Sequence, residues 1–296
     1  MSLSAHKMYP DVDVLMEQIE EFDLHRHMVE LQAYGFTIVP PEKLRLPEGF
    51  IVRLRSAIIA ACERRNSIQL GDLKTVEALP ETASSNSWDL LEEDDVFVEA
   101  ATHPVCLTFV RWLLGQSAVL AGQSWIIKGK GAGGLPLHND NHGIPPGSGS
   151  IAHMCNTSWL CTDYTSSADG PTVFVPGSHN YGRATLPHES DLKETPFNFV
   201  PLIAEAGSLA VWNGNTWHAA EPRTSPGFRV TLVQTYMRSY MRPQTDYSVN
   251  CPAELLEKNP ELERIAGKPL NPFADPRNPD PERIAPFMRA GTDPFA

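Results

Sequence analysis

Ten histidines stand out in this 296-residue chain, because imidazole is the side chain best suited both to binding a transition metal and to moving protons near neutral pH. His138 lies in the segment LPLHNDNHG, with Asp140 two positions further on. On an extended strand that spacing puts both side chains on one face. A third donor is His218, at the end of GSLAVWNGNTWH, on a later strand or the turn after it. Two imidazoles and one carboxylate on one face of a metal suit Fe(II) and leave its other positions open for substrate and O2. Eleven residues after His218 comes Arg229, in the alternating strand FRVTLV. An arginine pointing into a barrel is a buried charge that needs a carboxylate partner, and a small dicarboxylate bound beside the metal would be one. Arg223 competes for that inward role, but it follows Pro222 and precedes TSPG, which assigns it to a loop.

These residues have to be positioned by a larger frame. Residues 11–32 carry Val14, Leu15, Ile19, Phe22, Met28 and Leu31 at spacings of three and four, which predicts a helix stopping near Gly35 before the β-prone run Phe36 to Val39. Residues 48–65 repeat the pattern, and Pro104 and Gly115 bracket a third helix. Residues 70–101 show no assignable pattern. From Ser117 the texture changes to short β-branched and aromatic runs (AVLAGQSWIIK, IAHMCNTSWLC, PTVFVP, SLAVW, FRVTLVQTYM) cut by Gly, Pro and Asn, as in an antiparallel sandwich or barrel. The prolines from about Asn271 onward allow no regular element of any length. No repeat or linker divides the chain. The expectation is one domain over 1–296: a mostly helical part (1–116), a β core holding the metal site (117–240) and a proline-rich C-terminal extension (241–296).

Composition narrows the function. With 42% hydrophobic and 20% charged residues the chain can bury a full core, and a formal charge of −12 without a basic cluster disfavours nucleic acid and anionic lipid as partners. No apolar run reaches the length of a membrane span, and the polar start MSLSAHKMYPDVDV does not read as a secretory signal. Five scattered cysteines without a C-x-x-C pair read as free thiols, so the expected location is the cytoplasm. The expected partner is a small-molecule substrate, with a homodimer left open.

The ordered set GFTIVP, His138-x-Asp140, DGPTVFVPGSH (Asp169 to His179), GSLAVWNGNTWH and Arg229 resembles the phytanoyl-CoA dioxygenase-like family of Fe(II)- and 2-oxoglutarate-dependent oxygenases, over roughly residues 15–240. The resemblance implies a mainly β fold with flanking helices: a double-stranded β-helix (jelly roll, cupin-like) core with the N-terminal helices packed outside. It implies that His138, Asp140 and His218 hold Fe(II), that Arg229 pairs with the distal carboxylate of 2-oxoglutarate, and that O2 is the oxidant. The reaction expected is hydroxylation of a C–H bond with release of succinate and CO2. Desaturation, epoxidation and cyclisation draw on the same centre. Relatives that halogenate carry a small residue where this chain has Asp140. Relatives often place a Ser two residues after the second iron-binding His, and here that position is Ala220. Candidates for the missing cosubstrate contact are Thr231, Thr157, Gln123 and Lys128, with Trp159 on the same strand face as Thr157.

Plainer readings stand beside these. Trp159 also reads as core and Lys128 as a rim charge. His142 and His153 read as site-loop or solvated histidines, His179 as a turn residue bonding backbone and His188 as surface. The glycines at 129, 131, 133 and 134 precede no GK[ST] and so read as a loop before the metal strand. Two rivals follow: a cupin-like metal enzyme without 2-oxoglutarate, favoured if Arg229 points outward, and a non-catalytic binding protein, disfavoured by an intact donor set. The segment NHGIPPGSGSIAH has the composition of a specificity loop, so no substrate is carried over.

Overall fold

The apolar spacing of the first third yields two helices where one was expected. The computed structural model describes residues 10–84, 88–140, 144 and 151–267. Helix α1 spans Pro10–Glu21 and α2 spans His25–Tyr34. Between them Asp23 adopts φ 51° and the Leu24 amide reaches back to the Ile19 carbonyl at 2.9 Å, so the helix closes and restarts while Leu24 stays fully buried. Gly35, at φ 85°, ends α2, as the sequence leads one to expect. A Cβ there would stand 2.4 Å from Thr216 Oγ1, so glycine is required by space as well as by conformation.

Strand β1 (Phe36–Val39) and the short α3 (Pro41–Leu44) follow, then α4 (Phe50–Asn66), α5 (Asp95–Ala101) and α6 (Pro104–Leu114). Helix α5 lies in the stretch without a sequence assignment. It is only 7 residues long, too short to show a period, and it is capped by the Asp94 side chain on the Val96 amide. The β-rich runs become β2 (Val119–Gly129), β3 (Leu135–His138), β4 (Met154–Leu160), β5 (Thr172–Phe174), β6 (Val200–Pro201), β7 (Leu209–Asn213), β8 (His218–Ala220) and β9 (Phe228–Met237).

They form two antiparallel sheets, ordered β1-β7-β4-β9-β2 and β3-β8-β5-β6, and with the flanking helices these make the jelly-roll core. The larger sheet has two different faces. Trp125, Trp159, Val211, Val230, Leu232 and Tyr236 point out, into one continuous core with α1, α2 and α4 to α6. Fully burying each such large apolar side chain contributes roughly 1.5–3 kcal/mol. The inner face meets the smaller sheet through Phe36, Leu160, Phe174 and Trp212, with the Phe36 and Phe174 rings stacked at 4.5 Å.

Beyond β9 the sequence suggested no element, yet α7 (Tyr247–Asn250), α8 (Ala253–Lys258) and α9 (Pro260–Ile265) follow. Their Tyr247, Leu256, Leu262 and Ile265 join the main core. Each helix is too short for its periodicity to show against the surrounding prolines. The proline-rich end from Asn271 and the candidate His142 lie outside the described residues. All five cysteines are buried and none forms a disulfide. Among the described residues no helix is long and apolar enough to cross a membrane.

Candidate functional site

His138 ends β3, Asp140 follows it, and His218 begins β8, the antiparallel neighbour on which it pairs directly with His138. One donor atom from each of the three lies within 4.8 Å of the others. His218 Nε2 is 3.4 Å and His138 Nε2 3.7 Å from the Asp140 carboxylate, and the two imidazoles lie 4.4 Å apart. Each ring donates its other nitrogen to a backbone carbonyl two residues earlier: His138 Nδ1 to Pro136 at 2.8 Å and His218 Nδ1 to Thr216 at 2.9 Å. Both are thereby held in the tautomer that leaves the Nε2 lone pair free toward Asp140. Burial, and then the neighbouring His218, lower the His138 pKa, which keeps that imidazole neutral and able to ligate. Two imidazole nitrogens around one carboxylate are a donor set that suits a divalent metal.

Asp140 is fixed from behind. Asn156 Nδ2 donates to its Oδ2 at 2.6 Å, and Thr235 Oγ1 donates to Asn156 Oδ1 at 2.7 Å, a relay across β4 and β9. Asn156→Ala is expected to lower metal affinity about 10–100-fold, the range for lost outer partners, as measured by Fe(II) titration. Unchanged affinity would show that the relay does not orient Asp140.

The same cavity, of about 550 Å³, also contains Arg229 and Lys128. Arg229 is 2% exposed. Its Nε donates to the Gly170 carbonyl at 3.1 Å, and its Nη1 to Tyr164 Oη at 2.5 Å and Thr231 Oγ1 at 3.2 Å. The guanidinium also lies over the Tyr164 ring at 4.8 Å. No carboxylate pairs with it among the described residues. Arg223 is accounted for elsewhere, in a loop and paired with Asp169 at 3.1 Å. Lys128 pairs with Arg229 across β2 and β9, and its ammonium donates to the Glu221 carbonyl oxygen. Burial, helped by Arg229, pulls its pKa down to about 8. It is therefore a wall of the cavity and not a rim charge.

Three other sequence candidates belong to the opposite face of the sheet. Thr157 Oγ1 donates to Gln234 Oε1 at 3.3 Å, and Trp159 Nε1 donates to the same oxygen at 3.0 Å. Trp159 packs edge-on against Phe50 and His103, so its core reading is the correct one. Gln123 is fully buried and donates to the Phe97 carbonyl at 2.9 Å. None of the three lines the cavity, whereas Asn156, Ser158 and Thr231 do. The error is one of phase: shifting a strand reading by one residue exchanges its faces. Every β4 residue is buried, so hydropathy does not say which face looks into the barrel. Thr157→Val is expected to leave 2-oxoglutarate affinity unchanged and to cost about 1 kcal/mol in a denaturation curve, because Gln234 keeps its bond from Trp159. A large loss of cosubstrate affinity would reverse this placement.

Among the other histidines, His179 contacts the Gln32 carbonyl at 3.2 Å, as a turn residue should, and His153 contacts Tyr240 Oη at 2.8 Å. Sequence reasoning missed Asn156 and Tyr164. A buried Asn on a strand between Cys155 and Thr157 was the available signal for the first; nothing in the sequence marked Tyr164.

A family model described as Phytanoyl-CoA dioxygenase (PhyH) matches residues 31–231. Dioxygenase af480 of Aspergillus fumigatus is 28% identical over 188 residues, 63% of this chain; the match spans 59% of that relative's length. Two solved structures share the fold. HygX from Streptomyces hygroscopicus, with nickel and 2-oxoglutarate bound, has a TM-score of 0.57 at 19% identity, covering 74% of this chain and 88% of HygX. The epimerase SnoN, in complex with Fe3+, alpha ketoglutarate and nogalamycin RO, has a TM-score of 0.54 at 19% identity, covering 79% and 89%.

Proposed function

The chain belongs to the phytanoyl-CoA dioxygenase family, and from that premise we propose that it is an Fe(II)- and 2-oxoglutarate-dependent oxygenase that hydroxylates a C–H bond of a small organic substrate, releasing succinate and CO2. The observation that carries this reading is a single cavity holding both a His/Asp/His donor set and a buried arginine that has no carboxylate partner among the described residues. A dicarboxylate chelating the metal at one end and meeting Arg229 at the other satisfies both. The cupin-like alternative leaves the Arg229 charge uncompensated, at the cost of a desolvated guanidinium.

Bound iron with 2-oxoglutarate and O2 supplies the oxidising power for the C–H bond. The chain's part is positional. His138 and His218 present fixed lone pairs, Asp140 brings the compensating charge, and Asn156 sets its angle. Arg229 is preorganised by Gly170, Tyr164 and Thr231, so little side-chain freedom is lost when an anion arrives. The Thr231 hydroxyl stands beside the guanidinium and takes the role left vacant at Ala220. Trp212 and Phe174 flank His218, at 5.5 and 6.3 Å between ring centres, and keep water from its inner side. Whether the substrate is hydroxylated, desaturated, epoxidised or cyclised depends on which of its atoms these walls hold nearest the metal; SnoN, of the same fold, is an epimerase.

The test is anaerobic titration of the Fe(II)-loaded protein with 2-oxoglutarate, following the visible absorption band of the keto-acid chelate. A saturating band supports the reading. Iron binding without a band moves it to the cupin-like alternative, and no iron binding removes the site.

Lys128 adds a pH dependence. Its pKa lies near 8 in the fold, below its ordinary value, so the ammonium is charged below that pH and lost above it. A charged Lys128 beside Arg229 favours an incoming dianion. Affinity for 2-oxoglutarate is therefore expected to fall several-fold as pH rises through about 8, with Lys128→Met flattening the profile. Titrations between neutral and alkaline pH check it; a flat wild-type profile would exclude Lys128 from cosubstrate binding.

A further inference from the structure

Cross-strand pairing lays the inner face of the larger sheet out in rows. Trp212, Asn156, Thr235 and Gly122 are successive partners across β7, β4, β9 and β2 and so form one row. Asn156 carries Asp140, which places the donor set above that part of the row. Two strands away, about 10 Å at ordinary spacing, is Gly122. Arg229 and Lys128 lie at the other end of β9 and β2, six residues along, or about 20 Å of strand. Cosubstrate and Gly122 thus occupy different directions from the metal.

Gly122 is covered by Trp88. A Cβ built on Gly122 would stand 3.0 and 3.1 Å from two carbons of the indole and 3.3 Å from the Gln244 amide oxygen. A side chain there would push the indole and the Gln244 amide back by a few tenths of an ångström, so glycine favours this close approach of the ring to the strand. Trp88 bridges to Ser124 on β2 and still exposes 43% of its surface, while Leu135 on the facing sheet exposes 56%, and both line the cavity. A large aromatic and a large aliphatic side chain that face one space and stay about half exposed mark a place where apolar ligand surface is buried.

The charges point the same way. Lys128, Asp140 and Arg229 are the only Asp, Glu, Lys or Arg side chains lining the cavity among the described residues, and the cosubstrate and metal account for all three.

We infer that the Trp88 end of the cavity binds the substrate, and that the substrate is an uncharged, ring-bearing molecule whose apolar face lies on the indole and which offers one polar group to Gln244. This rests on the oxygenase reading for the reaction, though not for the binding. A carboxylate, phosphate or ammonium placed there would lose its hydration without gaining a counter-charge.

The test uses three probes with one ring system and different charge: 2-naphthylmethanol, 2-naphthoate and 2-naphthylmethylammonium. Each is titrated by calorimetry into the full chain with Zn(II) and 2-oxoglutarate present. The alcohol is expected to bind about tenfold or more tighter than either ion; Trp88→Ala should remove about tenfold or more of that affinity, and Trp88→Phe should restore most of it. An ion binding as tightly as the alcohol, an unchanged Trp88→Ala, or no probe binding at all would overturn the inference. The anaerobic Fe(II)/2-oxoglutarate titration is run in parallel. A missing band with the probe order intact sinks the oxygenase reading alone, and a band without probe selectivity sinks this inference alone.

Discussion

Arg229→Met is expected to weaken 2-oxoglutarate binding by two to three orders of magnitude while leaving Fe(II) binding near that of the wild type. A guanidinium meeting a carboxylate end-on makes two charge-assisted bonds worth about 1.5–3 kcal/mol each, and each 1.4 kcal/mol is a factor of ten. Methionine keeps most of the side-chain stem, so packing against Tyr164 changes little, and the Tyr164 and Thr231 hydroxyls still have each other. A second effect has the opposite sign. In the free protein Arg229 is a buried cation whose hydrogen-bond partners among the described residues are all neutral, an arrangement that costs stability until an anion arrives. The variant should therefore melt at the same temperature as the wild type or higher without cosubstrate, and lose the increase that 2-oxoglutarate gives the wild type. Melting curves with and without 2-oxoglutarate, beside the anaerobic titration, read both effects. Equal cosubstrate affinity in the two proteins would remove Arg229 from the site.

Asp140→Ala is expected to lower Fe(II) affinity by at least about a hundredfold, more than loss of an outer partner such as Asn156, and to abolish substrate-dependent succinate release. Asp140 supplies the only negative charge facing the two imidazoles among the described residues, and without it two neutral nitrogens remain to hold a dication. Its backbone amide bonds to the Gly214 carbonyl at 3.0 Å whatever the side chain, so the turn itself should persist. Circular dichroism and a metal titration separate loss of ligand from loss of fold. Undiminished iron binding would place the metal elsewhere.

What could be read from the sequence divides along physical lines. The β runs were legible because each is a β-branched or aromatic cluster closed by Gly, Pro or Asn, and α6 because Pro104 and Gly115 mark its ends. The jelly roll was legible only through the order of its motifs, since antiparallel runs alone fit several sandwiches. The break at Asp23 was not legible: apolar spacing continues through it, and only the conformation of one residue divides the helix. The face of β4 was hidden for a different reason. Apolar helices cover one side of that strand and the barrel interior the other, so Trp159 and Asn156 are equally buried and alternation carries no sign. Trp88 lay in an unassigned stretch, and its place over Gly122 depends on a long-range contact that no local pattern records.

Thr216 links the end of α2 to the candidate donor His218: its hydroxyl donates to the Gly35 carbonyl at 2.8 Å, across 181 positions, and its own carbonyl receives His218 Nδ1. Strand β9, the last in the chain among the described residues, lies between β4 and β2 and completes the larger sheet. During synthesis the ribosome thus delivers His138 and Asp140 well before His218, and before Thr235, which steadies Asn156 behind Asp140. Until β9 inserts, the sheet remains in two pieces, with neither Arg229 nor Thr235 in place. Assembly of the complete cavity around the candidate donor set is therefore a late event in folding, one that follows emergence of β9. A ribosome stalled before residue 228 would present a nascent chain with all three donors but without the strand that joins the two parts of the larger sheet.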